Sequence, residues 1–218
     1  MFKTILRELK SHVPFTLLGA LTGTALMVLI VLMRVERRVL EPVFEGLHSG
    51  HVLLSAVVTA ATFRRYRKGV VAGVLVGLAG SLGIASLSDV IFPHHGGAML
   101  LGLAGGSHSM DFHLPLLEEW WLVVPSALVG TAIGMTRPAT KIPHAGHVLL
   151  SIWASLFYLA AHSEAGWRMA LLPLVYAVLF LAVWVPCCLS DIVFPLLFVG
   201  RGALEHAHDH GDHPASPG

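Results

Sequence analysis

Apolar residues fall along this chain in long, nearly unbroken blocks separated by short polar segments, and blocks of that length predict helices that span a membrane. Six are present, at 14–33, 47–63, 69–92, 120–136, 142–163 and 169–199. A helix rises ~1.5 Å per residue and a hydrocarbon core is ~30 Å thick, so about 20 residues suffice for each crossing. The first block follows Lys3, Arg7 and Lys10 in the manner of a secretory signal. It lacks a clear small-residue cleavage site and is followed by RVERR, so it reads as a retained helix. The last block exceeds one straight span, which predicts a break near Pro186 or Pro195. The stretch AMLLGLAGG at 98–106 is too short to cross and reads as an interfacial or re-entrant segment.

The blocks repeat. HSGHVLLS at 48–55 returns as HAGHVLLS at 144–151, PFTLLGALTG at 14–23 as PSALVGTAIG at 125–134, and LSDVIFP at 87–93 as LSDIVFP at 189–195. Each half therefore carries, in one order, a glycine-patterned helix, a histidine helix, and a helix ending in Ser-Asp-x-x-Phe-Pro. Three spans per half is an odd number, so the second copy enters the membrane upside down, an arrangement frequent among secondary transporters. The expected fold is an all-α integral membrane protein of six transmembrane helices in two inverted three-helix repeats, residues 1–107 and 108–201, with a disordered histidine-rich tail at 202–218. The glycines are assigned to close helix packing. Trp120 and Trp121, with Glu118 and Glu119, read as an interfacial anchor without chemistry.

Composition agrees with the blocks: the chain is 55% hydrophobic and 12% charged, with a mean hydropathy of +0.74. A formal net charge of +1 offers no electrostatic case for nucleic acid. The basic residues inform by position. With the N-terminus inside, Lys3, Arg7, Lys10, Arg64, Arg65, Arg67, Lys68, Arg137, Lys141 and Arg201 fall in inner segments, and only Arg34, Arg37, Arg38 and Arg168 in outer ones. Both termini are expected in the cytoplasm of a cell whose inner membrane holds the chain. The lipid bilayer is thus the first partner, with a homo-oligomer left open. Cys187 and Cys188 are neighbours and read as two thiols within an apolar segment.

Polar residues inside the blocks are not scattered. At 100° per residue His48, His51, Ser55, Thr59 and Thr62 share one helical face within about 80°, as do His144, His147, Ser151, Ser155, Tyr158 and His162. Such a stripe is costly against lipid, so it is expected to face protein, water or an ion. Serines and threonines alone would be read as interhelical hydrogen bonding. Histidines at i and i+3 project two imidazoles from one face within reach of one metal ion. Asp89 and Asp191 are the carboxylates inside the blocks, and the repeat places each near its own histidine pair. The predicted metal ligands are therefore His48, His51 and Asp89 in one half and His144, His147 and Asp191 in the other. Ser55, Ser151, Cys187 and Cys188 are possible additions, and the first half has Ala85 and Ser86 where the second has the cysteines. Whether the two sets form one shared site or two stations is left open. The tail EHAHDHGDHP at 205–214 reads as loose metal capture, and His94, His95, His108, Asp111 and His113 as residues at an outer mouth.

Two functions suit this pattern. The first is secondary transport of a divalent transition metal such as zinc, manganese or iron, coupled to protons because histidine titrates near neutrality. The second is a metal-dependent intramembrane hydrolase in which a His/Asp-bound metal activates water. No G-x4-G-K-[ST] occurs, nor H-E-x-x-H, nor C-x-x-C-H, which argues against ATP hydrolysis, a zincin-type protease and covalent haem. Two similar copies favour the transporter.

Overall fold

The structure, a computed structural model, describes residues 2–66, 69–103, 110–136, 141–163, 167, 169–188, 194 and 198, with side chains from residue 13 onward except at 66, 141–145 and 188. Helices follow in the order α1 (Phe2–Met33), α2 (Arg37–Tyr66), α3 (Val70–Ser86), a π-helical turn (Leu87–Ile91), α4 (Phe92–Leu103), the single turn α5 (Pro115–Glu118), α6 (Trp120–Thr136), α7 (Lys141–Ala161), a 3-10 turn (Met169–Leu171) and α8 (Leu172–Cys188). No strand occurs among the described residues. Among the described residues, four stretches are long and apolar enough to cross a membrane: Val13–Met33, Arg37–Arg65, Val70–Leu103 and Met169–Cys187. Trp120–Thr136 and Gly146–Ala161 are apolar but shorter. Apolar blocks of this kind form helices because hydrocarbon offers no water to take up backbone hydrogen bonds, and a helix satisfies them within the segment.

One expectation is corrected. The stretch AMLLGLAGG is not a separate segment as far as Leu103, because Ala98–Leu103 belong to α4 and thereby to one helical run of 34 residues, Val70–Leu103. At ~1.5 Å per residue this run measures ~51 Å, well beyond a ~30 Å core. It survives Pro93 because the carbonyl left without a helical donor finds another one. Proline lacks an N–H and leaves a carbonyl one turn earlier without its helical donor. The helix widens there into the π turn, and Ser155 of α7 places its hydroxyl 2.9 Å from the Ser88 carbonyl. Pro186, one of the two expected break points, lies in the last turn of α8, which is described as far as Cys188. Pro195 lies outside the described residues.

α2 and α7 occupy the centre, with α2 packed on α7, α6 and α3, and α7 also packed on α1 and α8. Their contacts run in opposite directions. Phe44 meets Tyr158 with ring centroids 5.3 Å apart, a Cβ added at Gly50 would lie 3.3 Å from Leu150, and one added at Gly146 would lie 3.0 Å from Leu54. Residue numbers rise along α2 as they fall along α7, so the pair is antiparallel. Glycines bring the flanking helices against it. A Cβ at Gly130 or Gly134 of α6 would collide with the carbonyl oxygens of Leu53 and Val57, and one at Gly19 of α1 with the side chain of Ile152. Large apolar side chains such as Phe15, Leu18, Leu21, Val71, Leu75, Trp120 and Trp121 point outward instead. Both polar stripes face inward: His48, His51, Ser55 and Thr59 are buried, as are His147, Ser151, Ser155, Tyr158 and His162.

Candidate metal centre

Asp89 sits in the π turn, where the extra residue redirects side chains relative to a straight α-helix. It is completely buried and accepts hydrogen bonds from four donors. The Nδ1 atoms of His48 and His51 approach Oδ2 at 2.9 and 2.7 Å. The hydroxyls of Ser151 and Ser88 approach Oδ1 at 2.6 and 2.8 Å. A carboxylate has about four lone-pair sites, so this arrangement fills them. Burial of such a group is tolerable only with partners of this kind.

These bonds determine what the histidines can offer. With Nδ1–H directed at Asp89, each imidazole keeps its lone pair on Nε2. The Nε2 of His51 lies 4.0 Å from Cys187 Sγ, and the ring of His51 stacks on that of His147 at 5.7 Å, 14° from parallel. One candidate ligand atom from each of His51, His147 and Cys187 lies within 4.8 Å of the other two, and all three residues are buried. Ligands on one tetrahedral zinc stand ~3.3 to 3.5 Å apart, given Zn–N of ~2.0 Å and Zn–S of ~2.3 Å, so the set closes around an ion with small side-chain shifts. Asp89 then stands behind His51, in the carboxylate–histidine–metal arrangement that fixes ring tautomer and orientation. Cys187 Sγ also lies 3.7 Å from Ser151 Oγ, which ties the thiol to the same hydroxyl that binds Asp89.

The predicted site residues are distributed as follows. His48, His51 and Asp89, expected as ligands of one metal, are joined by hydrogen bonds to Asp89, and Ser151 joins them through the same carboxylate. The residue brought against His51 from the other copy is His147, and Cys187 completes the group, so the assembled ligands come from both halves. His144 and Cys188 belong to α7 and α8, but their side chains are not among those described; Asp191 and the tail lie outside the described residues. Ser55 is buried on the α2 face. Sequence reasoning missed Ser88 and gave Ser155 no partner. Ser88 had a signal, since it precedes Asp89 within LSDVIFP, whereas Ser155 had only its place on the stripe. Ala85, the counterpart of Cys187, is buried and carries no ligand, so one half alone supplies a thiol.

Chemically, two imidazoles and a thiolate make a three-ligand set that leaves a fourth coordination position open, and this donor mixture suits zinc better than manganese, which prefers oxygen. No protein-family model, curated protein or solved structure matches the chain.

Proposed function

We propose that the chain is a secondary transporter of a divalent transition metal ion, zinc above others, which His51, His147 and Cys187 hold at the seam between two inverted three-helix repeats. The observation that carries this reading is the origin of the ligands: one comes from the first copy of the histidine motif and two come from the second half. Such a site exists only while the halves are in register. Rocking of one half against the other makes and breaks it, which is what alternating access requires. Ligands that must lose protons to bind metal give the route to proton coupling.

Reciprocal contacts support the inverted arrangement. Gly50 faces Leu150 and Gly146 faces Leu54, the same two positions exchanged between copies. Gly19 faces Ile152, and Gly130 faces Ala56, the residue that matches Ile152. His51 stacks on its own counterpart. A two-fold axis between His51 and His147 accounts for all of these, and because α2 and α7 are antiparallel it runs across them, in the plane of the membrane. The skew of Lys and Arg toward the inner segments supports a cell-membrane location with cytoplasmic termini.

The hydrolase alternative shares the open three-ligand geometry. It also needs a general base beside the metal-bound water. Asp89 stands behind His51 with both oxygens engaged, which favours transport. The deciding experiment is zinc flux into proteoliposomes loaded with a zinc-sensitive dye. Flux should be present for the native chain and abolished by His147→Ala and by Cys187→Ser. Flux undiminished in both variants overturns the proposal, and a native chain that binds zinc without moving it returns the hydrolase to first place.

A further inference from the structure

The polar face of α2 continues past the buried centre toward its Arg37 end, where Glu41 and Glu45 precede His48 at helical spacing. Opposite them stand His162, just past the end of α7, and His113 and Glu119, on the segment that leads into α6. The groups are crowded. His113 Nδ1 lies 3.1 Å from Glu118 Oε2, His113 Nε2 lies 3.1 Å from Glu119 Oε2, and His162 Nε2 lies 3.9 Å from Glu41 Oε1. The two imidazoles stack with centroids 5.0 Å apart and planes 15° from parallel.

What distinguishes this cluster from an ordinary ion-pair network is that its central atoms are unsatisfied. His113 Nε2, Glu119 Oε2 and His162 Nε2 are buried and have no hydrogen-bond partner. The first two are close enough to bond but lack the alignment a hydrogen bond needs. Two ligands held at ~2.1 Å by one ion sit at about that separation. The His162 side chain is wholly buried, and its Nδ1–H points to the Tyr158 carbonyl at 3.1 Å. Its lone pair is thereby left on Nε2, the atom nearest Glu41. Donor atoms of Glu41, His113 and His162 lie mutually within 4.8 Å, as do those of Glu45, His113 and Glu119, so His113 joins both sets. Burial raises the Glu119 carboxyl above its ordinary range; His113 opposes this, and Glu45, Glu118 and Glu41 reinforce it. A cation placed here relieves that repulsion.

We infer that Glu41, Glu45, His113, Glu119 and His162 form a second divalent-cation site, with nitrogen and carboxylate ligands and no thiolate. It therefore accepts harder ions than the inner centre does. Phe44 separates the two. Its ring is completely buried and packs on His113 at 6.1 Å and His162 at 5.7 Å on one side and on His48 at 5.7 Å on the other. In a relay between the sites, a cation would pass Phe44. That relay role rests on the transport reading, whereas the site itself does not.

The test is titration with cobalt(II) of the purified full-length chain carrying His206, His208, His210 and His213 replaced by Ser. The native core should bind one equivalent that produces thiolate-to-cobalt charge-transfer absorption and a further equivalent that does not. Glu119→Gln with His162→Gln should remove the second and leave the charge-transfer band at native intensity. Unchanged cobalt stoichiometry in that variant overturns the second site. Should the variant lose the band as well, reporting misfolding, Glu45→Gln decides: at least tenfold weaker binding of the second equivalent supports the site, and unchanged affinity refutes it. Absence of the band in the native chain, with the second equivalent present, refutes the inner centre and leaves the outer one standing.

Discussion

His51 and His147, the second histidines of the two motif copies, stack with ring centroids 5.7 Å apart and planes 14° from parallel. Each motif copy thus sets one ring against the other's, so a substitution at either ring is felt by both helices.

Asp89 tests the distinction between a ligand and a group behind a ligand. Asp89→Asn leaves His51, His147 and Cys187 in place but removes the charged acceptor that orients His51. Inner-centre affinity should fall about 10- to 100-fold, while the thiolate-to-cobalt band returns at saturating metal. Permanent loss of the band would place Asp89 among the direct ligands.

Cys187 is 2% exposed and lies 4.0 Å from His51 Nε2. With Cys188 replaced by Ala, a small membrane-permeant maleimide should modify Cys187 slowly, and saturating zinc should slow the reaction at least tenfold more. Mass spectrometry of the intact chain reads both rates. Equal rates with and without zinc would remove the thiol from the ligand set.

Helix packing makes a separate prediction. A Cβ at Gly130 would run into the Leu53 carbonyl, which cannot move without the α2 backbone, whereas one at Gly46 meets nothing within 4 Å. Gly130→Ala should lower stability by about 1–3 kcal/mol. Gly46→Ala should raise it by up to about 1 kcal/mol through helix propensity. Thermal unfolding in one detergent gives both. A neutral Gly130→Ala would contradict the close approach of α6 to α2.

The inverted arrangement predicts sidedness. Single cysteines at Glu36 and Thr140, the corresponding inter-helix positions of the two halves, should react with an impermeant thiol reagent from opposite faces of the membrane once Cys187 and Cys188 are replaced. Labelling of both from the same face would eliminate the inverted repeat and, with it, the axis between His51 and His147.

Much was legible in the sequence because a bilayer imposes its rules segment by segment. Uninterrupted apolar blocks become helices, and a stripe of imidazoles and hydroxyls turns away from lipid whatever else the chain does. The grouping of Asp89 with His48 and His51 was legible too, since each motif recurs in the second half in the same order. Three features depended on residues distant in the chain. The π turn at Leu87–Ile91 is matched by Ser155, 67 positions away, which reaches the Ser88 carbonyl in place of the N–H that Pro93 lacks. Glu119, whose neighbours suggested only an interfacial anchor, has an oxygen buried beside His113 because the chain before α6 folds onto the ends of α2 and α7. Cys187 comes to His51 across 136 positions. Hydropathy and periodicity are local quantities and state which face of a helix is inward; which inward faces meet is settled by the close approach that Gly50, Gly130 and Gly146 permit, and only that packing turned two histidine motifs into one candidate centre.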